Sequence, residues 1–424
     1  MGADTGRGVT AAPVKLPPGL VQASGWLFMA FLGNNASNYL FHSLASRALG
    51  PEDYGALVSL LALLGLLSIP SQTMQTVVAQ QVAVAEAQGG HERVVRMMRR
   101  LFLHMAGAGL VVAFVFVASN ASVARFFRLG TGTPVMVAGL TGIVMLCISV
   151  ARGWLQGLQR FRALGSNLVT DGLFRLAAGG VIFFLGGRVA GGLGASALAS
   201  TAALGLAFFF LPSLQVPSGS GQVREAVKPL YISALPIGIY LTAFMALATV
   251  DVLWVKHFFS AAQAGYYGAA SMVGKVFLFV GMSMAQVLFP KASAAHALSE
   301  RSHHLLGKSL GVTTLALCLG LAVTWPLAPA VIRMLFGAAF VNPETLSLVR
   351  MFGFALSPLA LAYILLQYHL AIRHIRLAWL LAADVALLAG VLWFFHPSLL
   401  SVLGVAGVNH LLLLLVLWSI TPRR

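Results

Sequence analysis

Long apolar runs dominate this chain. About twelve of them follow one another between residues 21 and 419, near 21–46, 53–84, 99–118, 133–151, 164–186, 190–212, 229–256, 264–290, 306–325, 345–370, 376–395 and 399–419. Most are long enough to cross a hydrocarbon layer as a helix, which takes about 20 residues. A backbone in lipid must satisfy its own polar groups, so only helices or a closed barrel span it. Barrel strands alternate apolar and polar residues over about ten positions, whereas these runs are continuous. Only 9% of the residues are charged and the mean hydropathy is +0.88, against about 25% charged in a soluble domain. The chain lacks the polar surface a water-soluble fold needs. The expected fold class is an all-α integral membrane protein with about twelve transmembrane helices.

The formal net charge of +16 does not mark a nucleic-acid binder. The basic residues are scattered through short connections, without aromatic platforms between them. They do report topology. With the N terminus inside, the inner segments hold Arg7, Lys15, Arg93, Arg96, Arg99, Arg100, Arg152, Arg160, Arg162, Arg224, Lys228, Lys291, Arg301, Lys308, Arg373, Arg376, Arg423 and Arg424. The outer ones hold Arg47, Arg125, Arg128, Arg188, Lys256 and Arg333. That bias, 18 against 6, predicts cytoplasmic N and C termini. The short segment 328–340 is expected to be an amphipathic surface helix. Cys147 and Cys318 lie in apolar runs and read as small buried hydrophobes.

The chain also repeats. Asn38 precedes Tyr54-Gly55 as Asp251 precedes Tyr267-Gly268, each 213 residues on, and Asp171 recurs as Asp384 at the same offset. Arg162 recurs as Arg376, one residue further. Six spans per half give both halves the same orientation, a parallel repeat about an axis along the membrane normal. The expected organisation is a disordered cytoplasmic tail at 1–20, an N-lobe at 21–212, a cytoplasmic linker at 213–228 rich in Pro, Ser and Gly, and a C-lobe at 229–424. A central cleft is expected between the lobes.

The stretch Leu44-Ala45-Ser46-Arg47-Ala48-Leu49-Gly50-Pro51-Glu52-Asp53-Tyr54-Gly55 resembles the first-helix signature of polysaccharide transporters. These are oligosaccharide flippases of the multidrug/oligosaccharidyl-lipid/polysaccharide exporter superfamily. The stretch from Asp251 to Tyr267-Gly268 resembles the matching signature at the seventh helix. The resemblance implies two six-helix lobes working by alternating access in the bacterial cytoplasmic membrane. It implies a cargo of undecaprenyl-diphosphate-linked oligosaccharide, made and used by glycosyltransferases and a polymerase of the same pathway. It also favours an acid at the position of Asp251. The peptidoglycan-precursor branch usually carries two further C-terminal helices, and none is expected after Trp418, which counts against that branch.

A charge at bilayer depth costs about 2.5–3.5 kcal/mol on insertion scales, so each one needs a partner or a wet cleft. Asn35, Asn38 and His42 share a face of the first span, beside Asn34. With Gln72, Gln75 and Gln286 they are candidates for sugar hydroxyls, or equally for bridges between helices. Lys275 and Arg350 are candidates for the diphosphate, Arg350 because its fork matches two oxygens. Asp251 is the candidate ion-coupling residue and Lys275 its candidate partner. Asp171 and Arg175, at i and i+4, are expected to pair structurally within the fifth span, with Asp384 as the counterpart in the other lobe. The sequence holds no cofactor motif: no Walker loop is present, and Gly191-Gly192-Leu193-Gly194 follows no strand. Two other readings stay open, a multidrug or small-cation exporter of the same superfamily and a membrane polysaccharide polymerase or ligase. The second is disfavoured by the short outer loops, which leave no room for an exposed catalytic site.

Overall fold

A computed structural model describes residues 20–88, 91–211, 228–297, 303–371 and 377–421. The expected tail and linker, apart from Leu20 and Lys228, lie outside these residues. Among the described residues the structure is all helical, with no strand. The helices are α1 (Leu20–Ala87), α2 (His91–Ala118), α3 (Asn120–Phe126), α4 (Thr133–Gly157), α5 (Phe161–Phe184), α6 (Val189–Phe210), α7 (Lys228–Leu247), α8 (Val250–Phe258), α9 (Ala261–Ala297), α10 (His303–Phe336), α11 (Pro343–Ala371), α12 (Leu377–Phe394) and α13 (Leu399–Ile420). A short 3-10 turn, Ala338–Phe340, joins α10 to α11.

The element α1 is two spans. Its 68 residues would reach about 100 Å if straight, more than three times the hydrocarbon thickness. At Gly50 the backbone takes φ 68° and ψ 178°, a conformation that costs glycine little and other residues much, and Pro51 follows. His42 and Tyr54 are twelve residues apart, about 18 Å along a straight helix, yet Nδ1 of one lies 3.1 Å from the hydroxyl of the other. The chain therefore reverses at Gly50. Among the described residues ten helices are long and apolar enough to cross a membrane, or eleven with α7 and α8 taken as one bent span. Counting the two arms of α1 separately gives twelve.

The lobes repeat each other's packing. In the first, α1 lies against α4 and α5, α2 against α4, and α6 against α4 and α5. In the second, α9 lies against α11, α7 against α12, α10 against α11, and α13 against α11 and α12. The lobes meet where α1 packs on α7, α8, α9 and α10. Apolar side chains on α2 (Leu103, Leu110, Phe114) and α10 (Val312, Leu315, Leu319) face outward, the exposure expected of a lipid-facing surface.

Three expectations need correction. The segment 328–340 is no separate surface helix: α10 continues through Pro326 and Pro329 to Phe336. The seventh span, expected to be continuous over 229–256, bends by 47° between Leu247 and Val250. There Thr249 Oγ1 donates to the Met245 carbonyl, a local bond that competes with the helix ladder. Cys318 is exposed on α10 among the outward apolar residues, where it was expected to be buried.

Candidate functional site

At the Gly50 end the lobes close on each other through small residues. A Cβ on Gly265 would lie 1.9 Å from the Pro51 carbonyl oxygen, and one on Gly55 would lie 2.6 Å from the Gly265 nitrogen. No side chain fits at either contact. Around it, Ser46 Oγ donates to the Phe336 carbonyl at 3.3 Å and Arg47 Nη2 to the Met334 carbonyl at 2.5 Å. Tyr54 meets Phe336 and Phe340 edge-on, with ring centroids 5.8 and 5.6 Å apart. On the other flank His257 stacks on Phe126 at 4.0 Å and Nδ1 lies 2.7 Å from its carbonyl oxygen. These contacts join the first lobe to the second.

Deeper in the interface, polar groups gather on the first helix of each lobe. Asn38 on α1 accepts from Arg175 Nη1 of α5 at 3.0 Å. One turn on, buried His42 meets Tyr54. Tyr39 reaches across to α9, where its hydroxyl donates to the Met272 carbonyl at 3.4 Å. In the second lobe Asp251 is buried and its Oδ2 accepts from the Tyr267 hydroxyl at 2.7 Å. Its Oδ1 is buried without a hydrogen-bond partner. Lys275 is half-buried one helix away and lies within electrostatic range of both Asp251 and His42. No ion pair within 4.0 Å joins Lys275 to Asp251 among the described residues, so the expected direct pair is not formed.

Asp171 pairs differently from the expectation as well. Arg152 Nη2 on α4 takes its Oδ2 at 2.8 Å, and Ser200 Oγ on α6 donates to Oδ1 at 3.3 Å. Arg152 Nε also donates to Asn167 Oδ1 at 2.7 Å. A partner on a neighbouring helix therefore replaces the i, i+4 residue, and Arg175 is left to neutral Asn38. Asp384 on α12 accepts from Asn409 of α13 at 3.2 Å. Both repeated acids thus tie the fifth span of a lobe to its sixth.

The remaining candidates separate. Asn34 is half-buried beside α5, where Gly172 leaves room for its amide. Asn35 and Gln72 are exposed, and their amides donate to the Phe31 carbonyl and to Ser68 Oγ on their own helix. Gln75 bridges to Gln156 of α4 at 3.1 Å. Arg350 is apart from the cluster: its Nε donates to the Trp325 carbonyl at 3.1 Å and its guanidinium lies over that ring at 5.6 Å. Gln286 belongs to α9, and its side chain is outside the described residues.

One participant was missed in the sequence. His410, on α13, is 1% exposed and spans two helices: Nδ1 lies 2.9 Å from the Ala355 carbonyl oxygen and Nε2 3.2 Å from that of Leu247. A single histidine in an apolar run looks like an ordinary core residue. The acid that gives it company, Asp251, is far away in sequence.

The model of a family described as polysaccharide biosynthesis protein matches residues 20–296. No curated protein sequence matches the chain significantly. Among solved structures, the inward-facing conformation of a multidrug resistance MATE family transporter of the MOP superfamily is similar with a TM-score of 0.77. It is 12% identical, and the match covers 92% of this chain and 96% of that one. The outward-facing conformation of a MATE family transporter matches with a TM-score of 0.63 at 14% identity, covering 94% of each chain. A MOP superfamily transporter from Pyrococcus furiosus, whose binding pocket is described as reversed in polarity, matches with a TM-score of 0.64 at 14% identity and 94% coverage of each. At these identities the likeness establishes the fold.

Proposed function

The chain belongs to the polysaccharide biosynthesis protein family, and from that premise we propose that it is an exporter that flips a lipid-linked oligosaccharide across the bacterial cytoplasmic membrane. The observation that carries this reading is the placement of Arg175. Its guanidinium is half-buried near the lobe interface and held by a neutral amide, because Asp171 is occupied by Arg152. Lys275 adds a second cation without an ion pair within 4.0 Å among the described residues. Two cations without a contacting acid suit an anionic head group such as a diphosphate. Asn34 and Asn38, half-buried on the first arm of α1, supply amides for sugar hydroxyls beside Arg175. The lipid tail stays in the bilayer, so only the polar head needs a hydrated path.

The positive-inside bias puts both termini in the cytoplasm and the Gly50 end outside. The contacts at that end then close the outer side, and alternating access requires them to part. Asp251, with one oxygen unsatisfied, suits an ion-coupling role. The glycosyltransferases that build the cargo and the polymerase that consumes it are the expected partners.

A strain lacking the gene is the test. Loss of the exporter leaves the lipid-linked precursor on the inner leaflet. Loss of a ligase leaves it facing outward, which would refute the proposal. A second reading, export of small cations, draws on the MATE likeness and the free Asp251 oxygen. It predicts that cationic dye efflux falls in the same strain while the precursor still reaches the outer leaflet.

A further inference from the structure

Tyr54 and Tyr267 hold equivalent places in the repeat, and both are fully buried. Their neighbours differ in kind. Tyr267 packs edge-on against Phe352 of α11, in its own lobe, with ring centroids 4.9 Å apart. Tyr54 packs edge-on against Phe336 and Phe340, which belong to the end of α10 and the 3-10 turn of the opposite lobe. Ser46 and Arg47 donate to carbonyls of that same segment, so it is seated on the first lobe by backbone as well as by rings. Movement of one lobe as a body against the other would leave the setting of Tyr267 intact. Parting at the Gly50 end would strip both rings from Tyr54 and let water reach its hydroxyl.

That hydroxyl is the partner of His42 Nδ1, at 3.1 Å. The contact holds in either sense, with the phenol donating to a bare Nδ1 or accepting from Nδ1–H. It ties the second arm of α1 back to the first across the reversal. His42 lies one turn beyond Asn38, the acceptor for Arg175, and both Arg175 and Lys275 are within electrostatic range of its ring. The order from the outer end inward is therefore Phe336 and Phe340, then Tyr54, then His42, then the cations.

We propose that Tyr54 is a positioning residue through which the closed outer end sets His42 beside the cations. With water competing for the phenol, a hydrogen bond of this kind loses most of its advantage. The closed and open states then present the cations with two settings of one imidazole. Linkage makes the effect reciprocal: whatever draws the ring from Tyr54 loosens the closed end by the same factor. A diphosphate settling on Arg175 and Lys275 is suited to do so, because its oxygens accept from an imidazole N–H. Loading from the inside would in that way favour opening on the outside. Only this last step rests on the exporter reading. The dependence of His42 on the closed end stands on the geometry, and its test needs neither cargo nor transport.

The test is ¹⁵N solid-state NMR of histidine-labelled protein in lipid, recorded at one pH. The His42 signals are identified by their loss in His42→Gln. Tyr54→Phe keeps the ring between Phe336 and Phe340 but removes the hydroxyl, and it fixes the Nδ1 position of an untied His42. Two variants then disturb the closed end without touching either residue. Gly265→Val wedges the contact with Pro51, and Phe340→Leu removes an edge-on ring while keeping bulk. In both, the Nδ1 signal should move from its natural position toward that of Tyr54→Phe. Phe352→Leu, the matched change beside Tyr267, should leave it in place. Phe340→Leu alone decides if Gly265→Val does not fold. A His42 signal unmoved by Tyr54→Phe, or unmoved by the folded gate variants, overturns the inference. So does an equal shift in Phe352→Leu, which would make the effect general loosening.

Discussion

The Tyr267 hydroxyl donates to Asp251 Oδ2 at 2.7 Å, and 213 residues earlier Tyr54 meets His42, one turn beyond Asn38, the counterpart of Asp251. In each lobe a tyrosine just past the turn between the first two spans folds back on a polar residue of the preceding span. The two contacts differ in charge. A hydrogen bond to a carboxylate is worth roughly twice one between neutral groups.

Tyr267→Phe should therefore cost more than Tyr54→Phe. Removing the phenol takes away the side-chain donor to the buried Asp251 carboxyl. Thermal unfolding in detergent should show a loss of about 1–3 kcal/mol for Tyr267→Phe and a smaller one for Tyr54→Phe. Equal effects would mean that Asp251 is not carried as a carboxylate.

Arg152 and Arg175 should separate stability from transport. Arg152→Met breaks a part-buried ion pair and strands Asp171, a loss of up to about 3 kcal/mol. Arg175→Met removes a cation bonded only to neutral Asn38 among the described residues, so it should leave the melting temperature close to that of the natural protein while abolishing precursor export. A large stability loss in Arg175→Met, or normal export by it, contradicts the assigned roles.

The close approach at the Gly50 end gives a conformational test. Gly265→Val places a side chain against the Pro51 carbonyl, which lies 1.9 Å from the position of a Cβ. The lobes should be driven apart there. A Ser46→Cys reporter, placed in a background without Cys147 and Cys318, should become labelled from outside by a membrane-impermeant thiol reagent. Unchanged labelling would show that this contact is not the outer gate.

Particular residues show how much was legible beforehand. The twelve spans follow from the run lengths, and the repeat located Tyr54, Tyr267 and Asp251 from spacing alone. Sequence spacing failed where the partner came from another helix. Arg175 sits four residues from Asp171 and looked like its mate, but Arg152, nineteen residues away on α4, has the better geometry. Arg350 looked like a phosphate ligand because its fork matches two oxygens, and the Trp325 carbonyl that holds it is a backbone group no side-chain pattern reveals. Gln75 could be narrowed to two roles, and the Gln156 contact shows the helix bridge. The bend at Leu247 had a weak sign in Thr249 and Asp251, two residues whose side chains compete with helix hydrogen bonds. His410 had none, because its meaning lies in two carbonyls on other helices.

Whether Arg175 and Lys275 carry an anionic, lipid-linked sugar across the bilayer is read out by a leaflet assay in proteoliposomes. Purified protein is reconstituted with a diphosphate-linked oligosaccharide, and the fraction reachable by an added sugar-specific enzyme is followed with time. The natural protein should bring inner-leaflet precursor to the outer surface, and Arg175→Ala should not. Precursor that stays inaccessible with the natural protein while a cationic dye crosses would contradict a lipid-linked sugar cargo.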